Sequence, residues 1–138
     1  MKVSLSRKYA FAASHRLHSA SFTEAENQRL YGKCNNPYGH GHNYTLEVTL
    51  TGPVNDQTGM IANLADLDAF VKARVLDDFD HRSINDEIPA FKSKVPTTEN
   101  LCTEIFNRLH DFPHAKLERI RIEETSKNSF EYSVPATE

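Results

Sequence analysis

The sequence predicts a single α+β domain with its elements in the order ββααββ, and three observations carry that reading. Apolar and polar residues alternate from Val3 to Leu17 and again from about Gly41 to Thr51, which is the period-two signature of half-buried strands. Between Asn63 and Pro113 the apolar residues recur instead at helical spacing. Alternation then returns over Leu117 to Glu124 and Ser129 to Val134. A chain of 138 residues has the size of one domain and can bury a substantial core, and no linker or repeat divides it, so residues 1–138 are read as one unit.

The first strand carries Val3, Leu5, Arg7, Tyr9, Phe11, Ala13, His15 and Leu17 on its mainly apolar face. His15 is conspicuous there, because a buried imidazole needs partners for both nitrogens. A long connection follows, in which Ser21-Phe-Thr-Glu24 resembles a capping box opening a short helix through Leu30. The second strand places Tyr44, Leu46, Val48 and Leu50 on one face, and His40 and His42 share that parity. Gly52 to Gly59 is dense in turn formers and ends the strand.

Asn63 is positioned to cap a helix whose stripe is Leu64, Leu67, Val71 and Val75, reaching to about Phe79. Residues 82 to 95 read as loop. Pro96-Thr97-Thr98-Glu99 has the composition of a helix start, and Leu101, Ile105 and Leu109 form the stripe that follows. In the third strand Glu124 shares parity with Ile120 and Ile122, so a carboxylate ends an apolar face.

Composition narrows the partners. With 16 basic and 19 acidic residues the formal charge is -3, which offers no footprint for nucleic acid or a membrane surface. No apolar run reaches membrane-spanning length and the N-terminus lacks a signal-peptide block, so a cytoplasmic location and a small-molecule partner are expected. Cys34 and Cys102 are read as thiols.

Chemistry concentrates between Cys34 and Tyr44. A His-x-His on a strand offers two imidazoles from one face, and His15 on a neighbouring strand offers a third. Three nitrogen ligands suit zinc with a fourth position open to substrate, whereas the bland alternative puts His40 and His42 in a glycine-rich turn and His15 in a core hydrogen bond. Cys34 has three readings: a fourth ligand, a buried apolar residue, or a thiolate whose pKa the cationic neighbour Lys33 lowers. Asp80-His81 is either a proton-transfer pair or a polar helix end.

Taken in order, Phe11-Ala-Ala-Ser-His15-Arg-Leu17, Gly32-Lys-Cys34-Asn-Asn-Pro-Tyr-Gly-His40-Gly-His42-Asn-Tyr44, Gly59-Met-Ile-Ala-Asn-Leu-Ala-Asp-Leu67, Asp80-His81, Pro96-Thr-Thr-Glu-Asn100 and Glu124-Thr125 resemble the 6-pyruvoyl-tetrahydropterin synthase family. The resemblance runs from about Tyr9 to Tyr132. It implies the tunnelling fold, a four-stranded antiparallel sheet backed by two helices, with three copies closing a barrel and two barrels stacking as a homohexamer.

By the same resemblance, His15, His40 and His42 are expected to hold Zn2+, and Cys34, Asp80 and His81 to be catalytic, the last two reaching in from a neighbouring subunit. Thr97, Thr98, Glu99 and Glu124 are expected to line the pterin pocket, and inward parity selects Glu124 over the adjacent Glu123. The implied activity is a zinc-dependent lyase reaction on 7,8-dihydroneopterin triphosphate giving 6-pyruvoyl-tetrahydropterin. Two rivals accompany it: the related 6-carboxy-tetrahydropterin synthase of queuosine biosynthesis, which takes the same substrate, and a non-catalytic zinc- or pterin-binding module.

Overall fold

A computed structural model describes residues 2–135. Two long strands, β1 (Val3–His15) and β2 (His40–Gly52), form an antiparallel hairpin-like pair joined by the connection that contains α1 (Glu24–Tyr31) and a 3-10 turn (Gly32–Asn35). A helical rod follows: α2 (Leu64–Val71), a π-helical stretch over Lys72–Leu76, and α3 (Asp77–Phe79). Then come β3 (Arg82–Ser83), α4 (Ile84–Glu87), a 3-10 turn (Pro89–Phe91), α5 (Thr98–Leu109), β4 (Lys116–Thr125) and β5 (Asn128–Ser133). The strand order is β3-β1-β2-β4-β5.

The four long strands are antiparallel, as expected, but the sheet has five strands and is mixed. The two-residue β3 adds to the edge of β1 in parallel, with Ala13 opposite Arg82 and Ser14 opposite Ser83. The expected loop over residues 82–95 is therefore partly ordered, and the helices are more than two. Ile84, Ile88 and Phe91 supply the reason: all three are buried, an i, i+4, i+7 stripe in a segment too short to read as a helix from periodicity alone.

Strand parity holds over the middle of the sheet, but Val3 at the start of β1 is exposed, and Thr49 and Thr51, of the other parity in β2, are buried as well. Phe11, Ala13 and His15 of β1, the even residues Tyr44 to Leu50 of β2, and Ile120 and Ile122 of β4 all face inward. The α2–α3 rod and α5 cover that face with Leu67, Val71, Val75 and Phe79, and with Leu101, Ile105 and Leu109. Leu64, expected in the first stripe, stands 38% exposed at the first turn of α2 instead. Truncating a fully buried residue such as Ile105 to Ala would cost about 2–5 kcal/mol by removing contacts and leaving a cavity.

Local caps set the helix starts. Asn63 accepts from the amides of Ala65 and Asp66 at 2.7 and 3.2 Å, and Thr97 accepts from Asn100 at 3.2 Å. In the first connection the capping box is Thr23 with Glu26, at 2.9 and 3.2 Å, two residues later than the expected Ser21–Glu24. There Phe22 N still donates to Ser19 O in a preceding turn, so the helix cannot open sooner. Strand β1 likewise stops at His15 and not at Leu17, because the amide of Arg16 donates to Asn85 Oδ1 at 2.7 Å and has left the ladder.

Candidate metal centre and active site

Register, and not proximity in sequence, assembles the three imidazoles. His15 lies directly opposite His40 in the β1–β2 ladder, and Ala13 lies opposite His42, so one ring from β1 and two from β2 meet on the inner face. Their ring centroids are 4.7 to 5.1 Å apart. One nitrogen from each ring can be chosen so that all three atoms lie within 4.8 Å of one another.

The polarity of these rings is arranged. His15 is 1% exposed and its Nδ1–H donates to the Pro96 carbonyl at 2.8 Å, with the Tyr44 hydroxyl 3.4 Å from the same nitrogen. That bond leaves Nε2 of His15 as the ring's free acceptor. His15 Nε2, His40 Nδ1 and His42 Nε2 are all buried without a hydrogen-bond partner. Three converging orphan nitrogens are costly in a folded protein, and a metal ion removes that cost. Burial pushes His15 below its ordinary pKa despite the Pro96 bond, and burial together with the charge of His42 does the same to His40. Neutral imidazole is the form that ligates. The group thus fits a borderline-soft divalent ion with one coordination position left open.

Glu124 faces this group. The β4–β5 register slips between Glu123 and Thr125, leaving Glu124 at a bulge. Its carboxylate accepts a short hydrogen bond from the Thr98 hydroxyl, and Asn128 Nδ2 donates to it at 3.4 Å. Its charge acts on His15, His40, Cys34 and Tyr44. Glu123 is on the opposite face, lining a small cavity with Lys8, Glu47 and Arg121, so the choice of Glu124 by parity agrees with the placement of the two side chains. Thr98 is buried, Thr97 is spent on capping α5, and Glu99 is exposed in the first turn of that helix.

Cys34 sits in the 3-10 turn as a half-buried free thiol. The expectation that Lys33 lowers its pKa is not met: burial and then the Glu124 charge push the thiol up. The carbonyl of Cys34 accepts from Leu17 N at 2.8 Å, which ties the turn to the chain just beyond His15. Cys102 is buried in α5, as expected for a core thiol.

Asp80 and His81 lie elsewhere, at the end of α3. Asp80 Oδ1 accepts from Ala12 N and from His81 Nδ1, each at 2.9 Å. His81 adopts φ 62° and leaves its side chain 80% exposed, a left-handed conformation uncommon outside glycine. Neither residue is among the groups whose charge perturbs His15 or His40. Within one chain the pair lies at the β1 edge, bonded to Ala12, where His81 and His42 both line a cavity of about 350 Å³.

Two contributors were invisible to sequence reasoning. The Pro96 carbonyl is a main-chain atom without a side-chain signature. Asn85 clamps Arg16 from both sides, accepting from its amide at 2.7 Å and donating to its carbonyl at 2.9 Å, but it stands 69 residues away in sequence.

The family model for 6-pyruvoyl tetrahydropterin synthase matches residues 4–135. The chain belongs to that family. Among its relatives, the 6-pyruvoyl tetrahydrobiopterin synthase of Poecilia reticulata is 43% identical over 129 residues, covering 93% of this chain and 88% of the relative. The Homo sapiens protein of that name is 40% identical over 129 residues, covering 93% and 89%. The 6-carboxy-5,6,7,8-tetrahydropterin synthase of Haemophilus influenzae is 30% identical over 121 residues, covering 73% and 84%. Among solved structures, the Caenorhabditis elegans 6-pyruvoyl tetrahydropterin synthase superposes with a TM-score of 0.92 at 40% identity, covering 97% of this chain and 96% of that one.

Proposed function

We propose that this pterin synthase family member is a zinc-dependent lyase converting 7,8-dihydroneopterin triphosphate to 6-pyruvoyl-tetrahydropterin with loss of triphosphate. The observation that carries the proposal is the set of three imidazoles, each with a buried, unpartnered nitrogen, on which the charge of Glu124 acts. Zinc bound by His15, His40 and His42 would supply Lewis acidity that lowers the pKa of the substrate's side-chain hydroxyls.

The remaining steps belong to the chain. Glu124, held by Thr98, accepts donors from the pterin's aminopyrimidinone edge and fixes the ring, with Thr97 and Glu99 at the rim. Cys34 as thiolate takes the carbon-bound proton of the side chain. Its raised pKa in the metal-free chain makes positive charge near the thiol a requirement of this role. Oxidation of the side chain is balanced by reduction of the ring within one molecule, so no external redox partner enters. Asp80 and His81, hydrogen-bonded to each other, relay protons, and the family resemblance is what supports their supply from a neighbouring copy. A homohexamer of two stacked trimers accommodates that, since β5 is an edge strand of the sheet among the described residues.

Five residues separate Cys34 from His40, the spacing that favours the pyruvoyl product over the 6-carboxy product. The relatives named for the pyruvoyl activity also cover more of this chain at higher identity than the Haemophilus 6-carboxy enzyme. Incubation of the purified protein with the triphosphate substrate, followed by mass spectrometry, is expected to give 6-pyruvoyl-tetrahydropterin and inorganic triphosphate. A 6-carboxy product alone would overturn the assignment, and absence of turnover with zinc bound would return it to a binding module.

A further inference from the structure

One bend of chain, just before and into α5, serves two distant side chains at once. The Pro96 carbonyl accepts from His15 Nδ1 at 2.8 Å, and two residues on the Thr98 hydroxyl donates to the Glu124 carboxylate. Both Pro96 and Thr98 are buried. The bend therefore holds a ring of the imidazole group together with the carboxylate whose charge acts on that group.

Its shape is fixed locally. The proline ring sets φ at about −65°, which leaves ψ of Pro96 to aim the carbonyl. Thr97 N donates to the Val95 carbonyl at 2.9 Å, the i to i+2 bond of a γ-turn centred on Pro96, and that bond restrains ψ. The same Val95 carbonyl accepts a second bond, from Asn100 Nδ2 at 2.8 Å. Asn100 N in turn donates to Thr97 Oγ1 at 3.2 Å, and the Asn100 carbonyl accepts from Thr103 Oγ1 at 3.0 Å. Asn100 thus ties the start of the bend to the helix, while its own hydrogen bonds go to neither His15 nor Glu124.

Helix capping alone does not account for this asparagine. It stands three residues after the N-cap Thr97, where a capping box calls for an acceptor that reaches back to the N-cap amide. The chain has that arrangement at α1, where Glu26 accepts from Thr23 N at 2.9 Å. At α5 the N-cap amide is already bound to the Val95 carbonyl, and the third position supplies a donor instead. A carboxylate there would face the Val95 carbonyl with no proton to give.

We infer that Asn100 is a positioning residue that holds the Pro96 carbonyl on His15 and the Thr98 hydroxyl on Glu124 together, so that metal affinity and pterin affinity depend on one side-chain amide. The inference rests on the lyase reading for its ligands, zinc and the pterin ring, and on the bonds between Val95 and Asn100 for its residue. Loosening the bend turns the carbonyl away from His15 Nδ1–H, and a ligand histidine whose second nitrogen loses its partner binds metal less well. It also lets Thr98 withdraw from Glu124, which then presents its oxygens to the ring in no fixed direction.

The test compares Asn100→Ala with Asn100→Asp in the full chain. Aspartate keeps the shape and suits the first turn of a helix, but it has no donor for the Val95 carbonyl. Both variants are expected to weaken zinc binding by about 10- to 100-fold, measured against a competing chelator, and binding of phosphate-free neopterin by about tenfold. The visible spectrum of the cobalt-loaded protein, which reports ligand arrangement, is expected to change in both. An Asn100→Asp protein that matches the unmodified one would reduce Asn100 to a helix-start residue and overturn the inference, as would a change in only one of the two affinities. If neither variant folds, hydrogen exchange of the Asn100 side-chain amide in the unmodified protein decides. Slowing on addition of zinc and also on addition of neopterin supports the inference, and a failure to slow with either overturns it. Unmodified protein that binds zinc and neopterin but turns over no triphosphate substrate would overturn the lyase reading and leave the positioning role standing.

Discussion

His15, His40 and His42 on one side and His81 on the other carry the same side chain in opposite circumstances. The first three are drawn together by strand register, depleted of hydrogen-bond partners at one nitrogen each, and, for His15 and His40, pushed below the ordinary imidazole pKa by burial. His81 is exposed, sits in a left-handed backbone conformation and is bonded to the carboxylate before it. On the roles proposed above, the difference separates two kinds of histidine: the three proposed ligands each show an orphaned buried nitrogen, and the proposed relay shows an acidic partner and access to solvent.

Substitutions on the two sides should separate these roles. The largest effect is expected for His42→Ala, which removes one of the three converging nitrogens: metal analysis should find zinc lost, and turnover should fall to baseline with it. Cys34→Ala should keep zinc at the level of the unmodified protein while turnover falls about 10²–10⁴-fold, the range for a lost proton-transfer group. Retained turnover in this variant would remove the thiol from the mechanism. His81→Asn, chosen because asparagine tolerates the left-handed conformation, should also keep zinc and lower turnover by about 10²-fold. Loss of zinc from His81→Asn would break the comparison, since it would make the exposed histidine part of the metal centre.

A smaller effect concerns the metal-free protein alone. Burial depresses His15 and His40 below their ordinary value of 6.5, so the unfolded chain binds protons first as the pH drops. The metal-free fold should therefore lose stability from about pH 6.5 downward, and the loss should level off below the folded-state values. Thermal unfolding followed between about pH 7.5 and 5.5 checks this, and His40→Ala should flatten the dependence while His81→Asn leaves it in place.

Periodicity made much of this legible in advance. The inward parity of His15, His40, His42 and Glu124 follows from the period-two geometry of strands, and their placement agrees with it. The caps at Asn63 and Thr97 were readable because a side-chain oxygen answers an amide two or three residues on. Failures came where a nearby alternative satisfied the same rule. Thr23 and Glu26 form the capping box in place of Ser21 and Glu24, and the short stripe of Ile84, Ile88 and Phe91 orders a segment that periodicity reads as loop. The thiol's expected activation by Lys33 failed because burial and the Glu124 charge, and not the neighbour in sequence, shift it.

What the sequence determined by itself is which faces are buried and which polar residues lie on them, since alternation and helical spacing are local properties of the chain. Only the tertiary structure decided that His15 stands opposite His40, that the Pro96 carbonyl sets the tautomer of His15, and that the Thr98 hydroxyl holds the Glu124 carboxylate. It also decided that Asn85 clamps Arg16 from 69 residues away. The physical reason is common to all four: each depends on register or on contacts between segments far apart in sequence, and those are specified by the packing of the whole core.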